Sequence, residues 1–341
     1  LLGIVGPGEA GADGDAGDVD MLFRDAAGGE SRGGLVAVGM EQGGRREGTV
    51  LTGGRQRHHD LAVAYRDAGE GSAIVMLHNG GTSSTIWRHQ IEALSGDHRV
   101  VAVDLPGFGR SPRPDTPATL GQLVELVAAL IRELDLAPAL MVGNCMGTNI
   151  STALARTEPE LITGILAVNP LTEASFSAGR IGFLHKMAGI AAAPTRLARN
   201  VSRRIRSPKP VGVAALRFQL GKEGIARDLH HDPELLACAT RAEQMPALVD
   251  VLDDMAAYGE ADRAEVPADI PVWIAWGEQN RVLSRHRAAH LEQRFNADRV
   301  EVLEGCGHLP MLERPDDVTE LITGLLAEIR RTAADELEVA P

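Results

Sequence analysis

The sequence feature that most constrains the fold of this chain is the pentapeptide G-N-C-M-G at residues 143–147. An apolar run precedes it and a helix-like stretch follows it. A strand, a sharp turn and a helix with the pattern G-x-Nu-x-G form a nucleophile elbow, whose turn holds the central residue at strained backbone angles and projects its side chain. Gly143 and Gly147 suit this turn because a Cβ at either position would crowd it. The motif predicts a nucleophile at Cys145, where serine is usual.

Composition and charge exclude several classes of protein. The chain has 341 residues, 44% of them apolar and 24% charged, which is ordinary for one or two globular domains. A formal net charge of −13 argues against general nucleic-acid binding. No apolar run of about 18 residues is present and the N-terminus lacks the pattern of a secretory signal, so neither a membrane span nor export is predicted. The 3 cysteines are far apart and lack a metal-binding spacing, which favours a reduced, cytoplasmic compartment.

Residues 1–55 are rich in glycine and acidic residues and lack periodicity, which predicts a mostly disordered leader. Segment 6–11 fits the dinucleotide pattern G-x-G-x-x-G, but the acidic, glycine-rich residues after it do not favour the helix that a pyrophosphate requires. His286 and His290 share a predicted helix without an adjacent acidic ligand, so a solvated helix face is favoured over a metal site. No cofactor and no metal are expected.

From residue 61 onward, apolar strands alternate with amphipathic helices. This alternation predicts an α/β fold with a mostly parallel, doubly wound sheet that helices cover on both faces. Strands are predicted at 61–65, 73–77, 100–104, 140–143, 165–168, 272–276 and 300–303, and helices at 85–94, 119–134, 285–295 and 316–330. The core domain is therefore predicted to comprise residues 56–170 and 266–335.

Residues 171–265 interrupt this alternation and are rich in Ala, Leu and Arg, with few strand signals. They predict a helical cap over the carboxyl edge of the sheet, where open α/β folds bind ligands. The alternative is a set of structural helices with no role in binding. Within this segment, the stretch 196–209 contains 6 basic residues and no acidic one. It is either a solvated helix face or a docking surface for a phosphopantetheine carrier, coenzyme A or an anionic substrate.

Four motifs together resemble those of the α/β-hydrolase fold family. In chain order they are H-N-G-G-T-S at 78–83, similar to the oxyanion loop H-G-x-G-x-S; D-L-P-G-F-G-R-S at 104–111, which matches D-x-P-G-x-G-x-S; the elbow at 143–147; and the pair W-G-E-Q-N-R at 276–281 and G-C-G-H at 305–308. The resemblance implies the fold of that family, its hydrolytic chemistry, and a catalytic triad in the order nucleophile, acid, histidine.

Carried over to this chain, the triad falls on Cys145, Asn280 and His308. Asn280 stands where the family pattern W-G-x-x-D has aspartate, and Asn79 stands where the oxyanion loop usually has glycine. Glu278, two residues before Asn280, is an alternative acid. A decayed or repurposed site is the alternative to a working triad.

The resemblance also implies an oxyanion hole made by the backbone N–H groups of Met146 and Gly80. Neither donor depends on its side chain. His78 is expected to be structural and to hold the oxyanion loop by hydrogen bonds, and Cys306 is expected to pack within its loop.

Cysteine and asparagine are chemically compatible in such a site. A thiol has a pKa near 8.5 when free and well below that beside an imidazolium or at a helix N-terminus. Cys145 and His308 are therefore predicted to form a thiolate–imidazolium pair. Asn280 is predicted to accept a hydrogen bond from the ring N–H of His308 and so to orient it, as in the Cys-His-Asn set that papain-like proteases use on an unrelated fold.

The function predicted from these residues is an acyl hydrolase, an esterase, thioesterase or lactonase, that forms an acyl-cysteine intermediate. One alternative is an acyltransferase or cyclising enzyme that uses a thioester donor. A second alternative is a non-catalytic protein that binds small molecules on a hydrolase scaffold. The expected partner is a small acyl compound, with carrier-bound and coenzyme A thioesters among the candidates.

Overall fold

The computed structural model describes residues 36–42, 45–52, 61–179 and 206–339, which contain a 9-stranded sheet in the order β1-β2-β3-β5-β4-β6-β7-β8-β9. The strands are β1 (Val36–Gln42), β2 (Arg45–Thr52), β3 (Leu61–Ala68), β4 (Ala73–Leu77), β5 (Arg99–Asp104), β6 (Ala139–Asn144), β7 (Ile162–Val168), β8 (Val272–Gly277) and β9 (Arg299–Leu303). Strands β4 to β9 pair in parallel with one another, whereas β1 with β2, β2 with β3 and β3 with β5 pair antiparallel. The predicted mostly parallel α/β sheet is confirmed.

The sheet begins earlier than the sequence predicted. Strand β2 pairs with β1 on one side and with β3 on the other, both antiparallel. The predicted disordered leader through residue 55 is therefore wrong for these two strands. Backbone pairing along β3 orders them without the apolar periodicity that a sequence reading requires. The rest of the leader, including segment 6–11, lies outside the described residues.

The α-helices of the described residues are α1 (Arg88–Leu94), α2 (Leu120–Glu133), α3 (Met146–Thr157), α4 (Glu173–Ser177), α5 (Lys209–Gln219), α6 (Lys222–Ala226), α7 (Pro233–Ala239), α8 (Gln244–Asp253), α9 (Met255–Tyr258), α10 (Leu291–Arg294), α11 (Pro310–Glu313) and α12 (Pro315–Val339). Helix α2 begins at a capping box, in which Thr119 and Gln122 each accept from the backbone N–H of the other. Strands β4 and β6 are buried along their whole length, because helices cover both faces of a parallel sheet. No helix in the described part of the chain is long and apolar enough to cross a membrane.

Between β7 and β8, the described residues contain the helices α4 to α9. We call residues 171–265 the insertion; its part from 180 to 205, with most of the basic stretch, lies outside the described residues. A buried ion pair ties the insertion to the core. The guanidinium of Arg113, after the motif at 104–111, donates to both carboxylate oxygens of Asp250 on α8, at 2.6 and 2.7 Å.

Loss of this ion pair is expected to be costly. The side chains of Arg113 and Asp250 are only 5% and 9% exposed. Replacing Arg113 by methionine is expected to lower the free energy of unfolding by about 3 kcal/mol, because the Asp250 carboxylate stays buried without its arginine. Urea denaturation measures this change. The double replacement Arg113→Met with Asp250→Leu should recover most of the loss, and a single variant as stable as the wild type would contradict the expectation.

Candidate active site

Cys145 lies at the sharp turn between β6 and α3, with φ 55° and ψ −112°. A positive φ is unusual for a residue with a side chain and marks stored backbone strain. A Cβ on Gly143 would overlap the backbone of Gly147, and a Cβ on Gly147 would overlap the backbone of Leu77 on β4. Both glycines are therefore needed for the turn to form against the sheet.

The backbone N–H groups of Met146 and Gly80 lie close enough to the sulfur of Cys145 to lower its pKa. These are the two groups that the sequence predicted as oxyanion donors. Met146 is the first residue of α3, and Gly80 belongs to the loop after β4. The loop comes close to the insertion, since a Cβ on Gly80 would lie 3.1 Å from Leu248 on α8. The nucleophile and both donors thus meet at one point.

His78 fixes this loop through both ring nitrogens. Its Nδ1 donates to the backbone oxygen of Asn79 at 2.8 Å, and its Nε2 accepts from the backbone N–H of Leu105 at 2.9 Å. Burial lowers the pKa of His78, so the ring is neutral and can fill both roles. The hydrogen bonds are those of a structural residue, as the sequence suggested.

His308 lies in the loop between β9 and α11 and is held there by its backbone. Its N–H donates to the oxygen of Gln219 at 2.6 Å. Its backbone oxygen accepts from the side-chain amides of Asn144 and Asn169, at 3.1 and 3.3 Å. Asn144 is the residue before the nucleophile, so the elbow and the histidine loop are directly joined.

A buried carboxylate that the sequence analysis missed supports the same loop. Glu313 is 0% exposed, and its carboxylate accepts from four backbone N–H groups. The donors are Gly221 (2.7 Å), Gly224 (3.2 Å), Gly307 (2.8 Å) and Leu309 (3.2 Å). Two donors flank His308 and two belong to the insertion, so Glu313 joins the histidine loop to α6.

The predicted thiolate–imidazolium pair is wrong for this structure. Burial raises the pKa of Cys145 to about 12, and the N–H groups of Met146 and Gly80 lower it by less. Burial also lowers the pKa of His308 to about 3. Cys145 is 7% exposed and His308 is 1% exposed, so water stabilises neither charge. Among the described residues no hydrogen bond joins the two side chains, and both are neutral at pH 7.

Asn280 reaches His308, but with the opposite polarity to that predicted. Its side-chain oxygen accepts from the backbone N–H groups of Val282 and Leu283, at 2.9 and 3.1 Å. Its Nδ2 donates to Oδ1 of Asn169 at 3.0 Å and lies 3.1 Å from Nδ1 of His308. The prediction that Asn280 accepts from the ring is wrong, because two backbone donors already occupy its oxygen. The neutral ring therefore accepts at Nδ1 and carries its proton on Nε2.

The alternative acid and the other candidates take no part in this arrangement. The carboxylate of Glu278 accepts from the backbone N–H of Gly305 at 2.9 Å. Cys306 is fully buried in the core, and His286 is exposed to solvent. Each therefore has a position that accounts for it without a catalytic role.

One group among the described residues has ligand atoms close enough for a metal ion. It consists of Asp228, His230 and His231, whose ligand atoms lie within 4.8 Å of one another. The guanidinium of Arg217 lies 3.3 Å from Nε2 of His230, and Asp228 already pairs with His231 at 2.7 Å. The positive charge of Arg217 beside His230, the most buried of the three residues, would repel a metal cation.

A residue of the insertion that carried no sequence signal also lies beside the nucleophile. Tyr258 ends α9 and is 1% exposed. Its backbone oxygen accepts from Nδ2 of Asn149, on the helix that follows the elbow, at 3.1 Å. Burial raises the pKa of its phenol, the Asp254 carboxylate raises it further, and ionisation of Cys145 would act in the same direction. The phenol is therefore neutral, and it lies near the thiol.

The fold and this site define a known class of protein. Residues 74–321 match the alpha/beta hydrolase family, so the chain belongs to that family. An uncharacterized protein of Mycobacterium tuberculosis is 28% identical over 271 residues, which are 77% of this chain and 78% of that protein. The pimeloyl-[acyl-carrier protein] methyl ester esterase of Aeromonas hydrophila is 26% identical over 264 residues, which are 77% of this chain and 98% of the esterase.

Solved structures share the same fold. The thermophilic esterase from Thermogutta terrifontis superposes with a TM-score of 0.67 at 18% identity, over 82% of this chain and 98% of the esterase. The enol-lactonase from Burkholderia xenovorans LB400 superposes with a TM-score of 0.62 at 21% identity, over 78% and 97%. Family membership makes the protein a hydrolase, and the solved structures show that it shares their α/β fold.

Proposed function

We propose that the protein hydrolyses an ester, thioester or lactone through an acyl-cysteine intermediate on Cys145. The observation that carries the proposal is the position of Cys145 at the elbow turn, beside the backbone N–H groups of Met146 and Gly80. A carbonyl oxygen bound by these two donors would have its carbon within reach of the thiol. His308 and Asn280 complete the proposed triad.

Acylation joins the sulfur of Cys145 to the carbonyl carbon and breaks the bond from that carbon to the leaving group. The electron pair of the broken bond departs with the leaving group. The thiol proton passes to water and ends on the leaving group. In the second half, water attacks the thioester carbon, its oxygen forms the free acid, and a water proton returns to the sulfur.

We further propose that the insertion serves as the cap of this site. Two of its described residues support this role, since Leu248 approaches the oxyanion loop at Gly80 and Tyr258 lies beside Cys145. The buried Arg113–Asp250 pair keeps α8 in a fixed position over the loop. A cap so placed would exclude water and contact the acyl chain. The relative from Aeromonas hydrophila, an esterase by name, agrees with an acyl substrate of this kind.

Product analysis tests the proposed reaction. The protein is incubated with p-nitrophenyl butyrate and with the butyryl thioester of N-acetylcysteamine, with and without an added amine or thiol. Free butyrate in every mixture supports hydrolysis. Transfer of the butyryl group to the added acceptor supports the acyltransferase alternative, and binding without turnover would overturn both.

The reactivity of Cys145 is expected to depend steeply on pH. Because burial raises the pKa of Cys145 to about 12, the thiolate is the minor form throughout the range in which the protein can be studied. The thiolate fraction, and with it the rate of alkylation by iodoacetamide, should rise about tenfold per pH unit between about pH 7 and 10. A rate that levels off at mildly acidic pH would contradict this and would indicate a preformed ion pair with His308.

A further inference from the structure

A continuous chain of side-chain amides runs from the histidine to the oxyanion loop. Nδ2 of Asn280 donates to Oδ1 of Asn169 at 3.0 Å, and Nδ2 of Asn169 donates to Oδ1 of Asn144 at 3.3 Å. Nδ2 of Asn144 then donates to Oδ1 of Asn79 at 3.2 Å, and Nδ2 of Asn79 donates to Gln219 at 3.1 Å. We call these four asparagines the amide chain. Along the amide chain each side-chain amide donates to the next, from Asn280 to Asn79.

Backbone groups fix that direction. The N–H of Gly277 donates to Oδ1 of Asn169 at 3.0 Å, and the N–H groups of Val282 and Leu283 donate to Oδ1 of Asn280. Rotating either amide by half a turn would direct its NH₂ group at these donors and leave them without an acceptor. Each such loss in a buried site is unfavourable, because no water is there to accept from the freed N–H group. Backbone N–H groups therefore fix the orientation of the Asn169 and Asn280 amides, and with it the direction of donation along the amide chain.

The amide chain presents an N–H group where an α/β-hydrolase triad has a carboxylate. Asn79, Asn144 and Asn169 are each 0% exposed, and each polar contact they make is to a neutral group. An imidazolium carries a proton on both ring nitrogens. Its Nδ1–H would face Nδ2 of Asn280 at 3.1 Å, donor against donor. The site thus stabilises neutral His308 and opposes its protonation.

We infer that the amide chain holds His308 neutral with its proton on Nε2, and that the substrates are acyl donors whose leaving group departs as a stable anion: thioesters and enol or aryl esters rather than alkyl esters. This inference deepens the proposed function and depends on it. Asn169, Asn144 and Asn79 act in it as positioning residues, because they reach His308 only through its backbone or through Asn280.

The preference follows from the leaving groups. When the bond from the carbonyl carbon breaks, a thiolate (pKa of the thiol near 8.5) or a phenolate (near 10) can depart with the electron pair and take up the thiol proton in water afterwards. An alkoxide is as basic as hydroxide, whose parent water has a pKa near 15.7, and requires a proton during bond breaking. Only a protonated base can supply that proton, and the amide chain opposes the protonation of His308.

Nitrogen NMR of the wild-type protein tests the inference without reference to activity. The protein has 11 histidines. The ring-nitrogen signals that disappear in His308→Gln are assigned to His308, and those that remain belong to the other 10. We expect Nε2 to carry the proton and Nδ1 to be unprotonated from about pH 5 to 9. In Asn280→Asp we expect the proton on Nδ1. A wild-type ring protonated on Nδ1, or on both nitrogens at pH 7, would overturn the inference even if the enzyme is active.

A pair of substrates tests the predicted preference for leaving groups that depart as stable anions. The butyryl thioester of N-acetylcysteamine and ethyl butyrate share one acyl group and differ in the leaving group. In the wild type we expect kcat/KM for the thioester to exceed that for ethyl butyrate by at least about 1,000-fold. In Asn280→Asp this ratio should fall at least tenfold. It should not fall in Asn280→Ala, because that change removes the donor without adding a charged acceptor. Equal rates in the wild type would overturn the inference. Failure of both substrates to acylate Cys145 would instead overturn the proposed function.

Discussion

Replacement of Asn280 by aspartate is expected to raise kcat/KM for alkyl esters by about 100-fold. One carboxylate oxygen can keep the backbone N–H groups of Val282 and Leu283, and the other can accept Nδ1–H of His308. The imidazolium then gains the stabilising charge whose loss costs a serine protease about 10,000-fold. The rate of ethyl butyrate hydrolysis measures the gain.

The expected gain in kcat/KM is smaller than the loss seen in the serine protease, because the new carboxylate would also face Oδ1 of Asn169. In the wild type this oxygen lies 3.0 Å from Nδ2 of Asn280. Adding Asn169→Ser places a hydroxyl donor there and should raise the rate further. Asn280→Ala is the matched control and is expected to stay within about tenfold of wild type, since it neither opposes nor stabilises the imidazolium. An Asn280→Asp protein no faster than Asn280→Ala would show that the third position does not limit the reaction.

Replacement of Cys145 by alanine is expected to lower kcat/KM at least 1,000-fold, because it removes the nucleophile that lies beside the N–H groups of Met146 and Gly80. Removing the nucleophile of a comparable triad costs about a millionfold. Cys145→Ser should be nearly as inactive alone, because its hydroxyl must give its proton to a base and Asn280 opposes the protonation of His308. It should recover activity when combined with Asn280→Asp.

Cys238 offers the matched control for this replacement. It is a second buried cysteine, on α7, with its sulfur 3.8 Å from the side-chain oxygen of Gln244. Cys238→Ala is expected to keep kcat/KM within about threefold of wild type. If the Cys145→Ala protein retained comparable activity, the acyl-cysteine mechanism would be untenable.

Local sequence patterns were sufficient to predict the core of the fold. The elbow at 143–147 has its own signature, since only glycine fits on either side of Cys145. Strand β4 was predicted with its observed bounds because a buried parallel strand is a short unbroken apolar run. One helix was predicted over 285–295, but this segment forms a 3₁₀ turn at Arg285–Arg287 followed by the short helix α10. The 3₁₀ turn has no buried residue, so no packing against the core stabilises a longer helix there.

The polarity of the site was beyond the reach of sequence. A triad position can be located from its motif, but the direction of the Asn280 amide depends on backbone N–H groups that only the folded loop brings to its oxygen. The same holds for the charge of Cys145, where burial outweighs the helix N-terminus that the sequence suggested. Asn169, Glu313 and Tyr258 were missed because each is a single polar residue outside any motif.

Trapping of the acyl-enzyme intermediate is the direct test of the proposed acyl-cysteine mechanism on Cys145. The protein is mixed with p-nitrophenyl butyrate at low pH, quenched within the first turnover, and analysed by intact mass and peptide mapping. We expect one added butyryl group per chain, on the peptide that contains Cys145, and none in Cys145→Ala. Release of p-nitrophenol without any acylated enzyme, or a butyryl group on another residue, would contradict it.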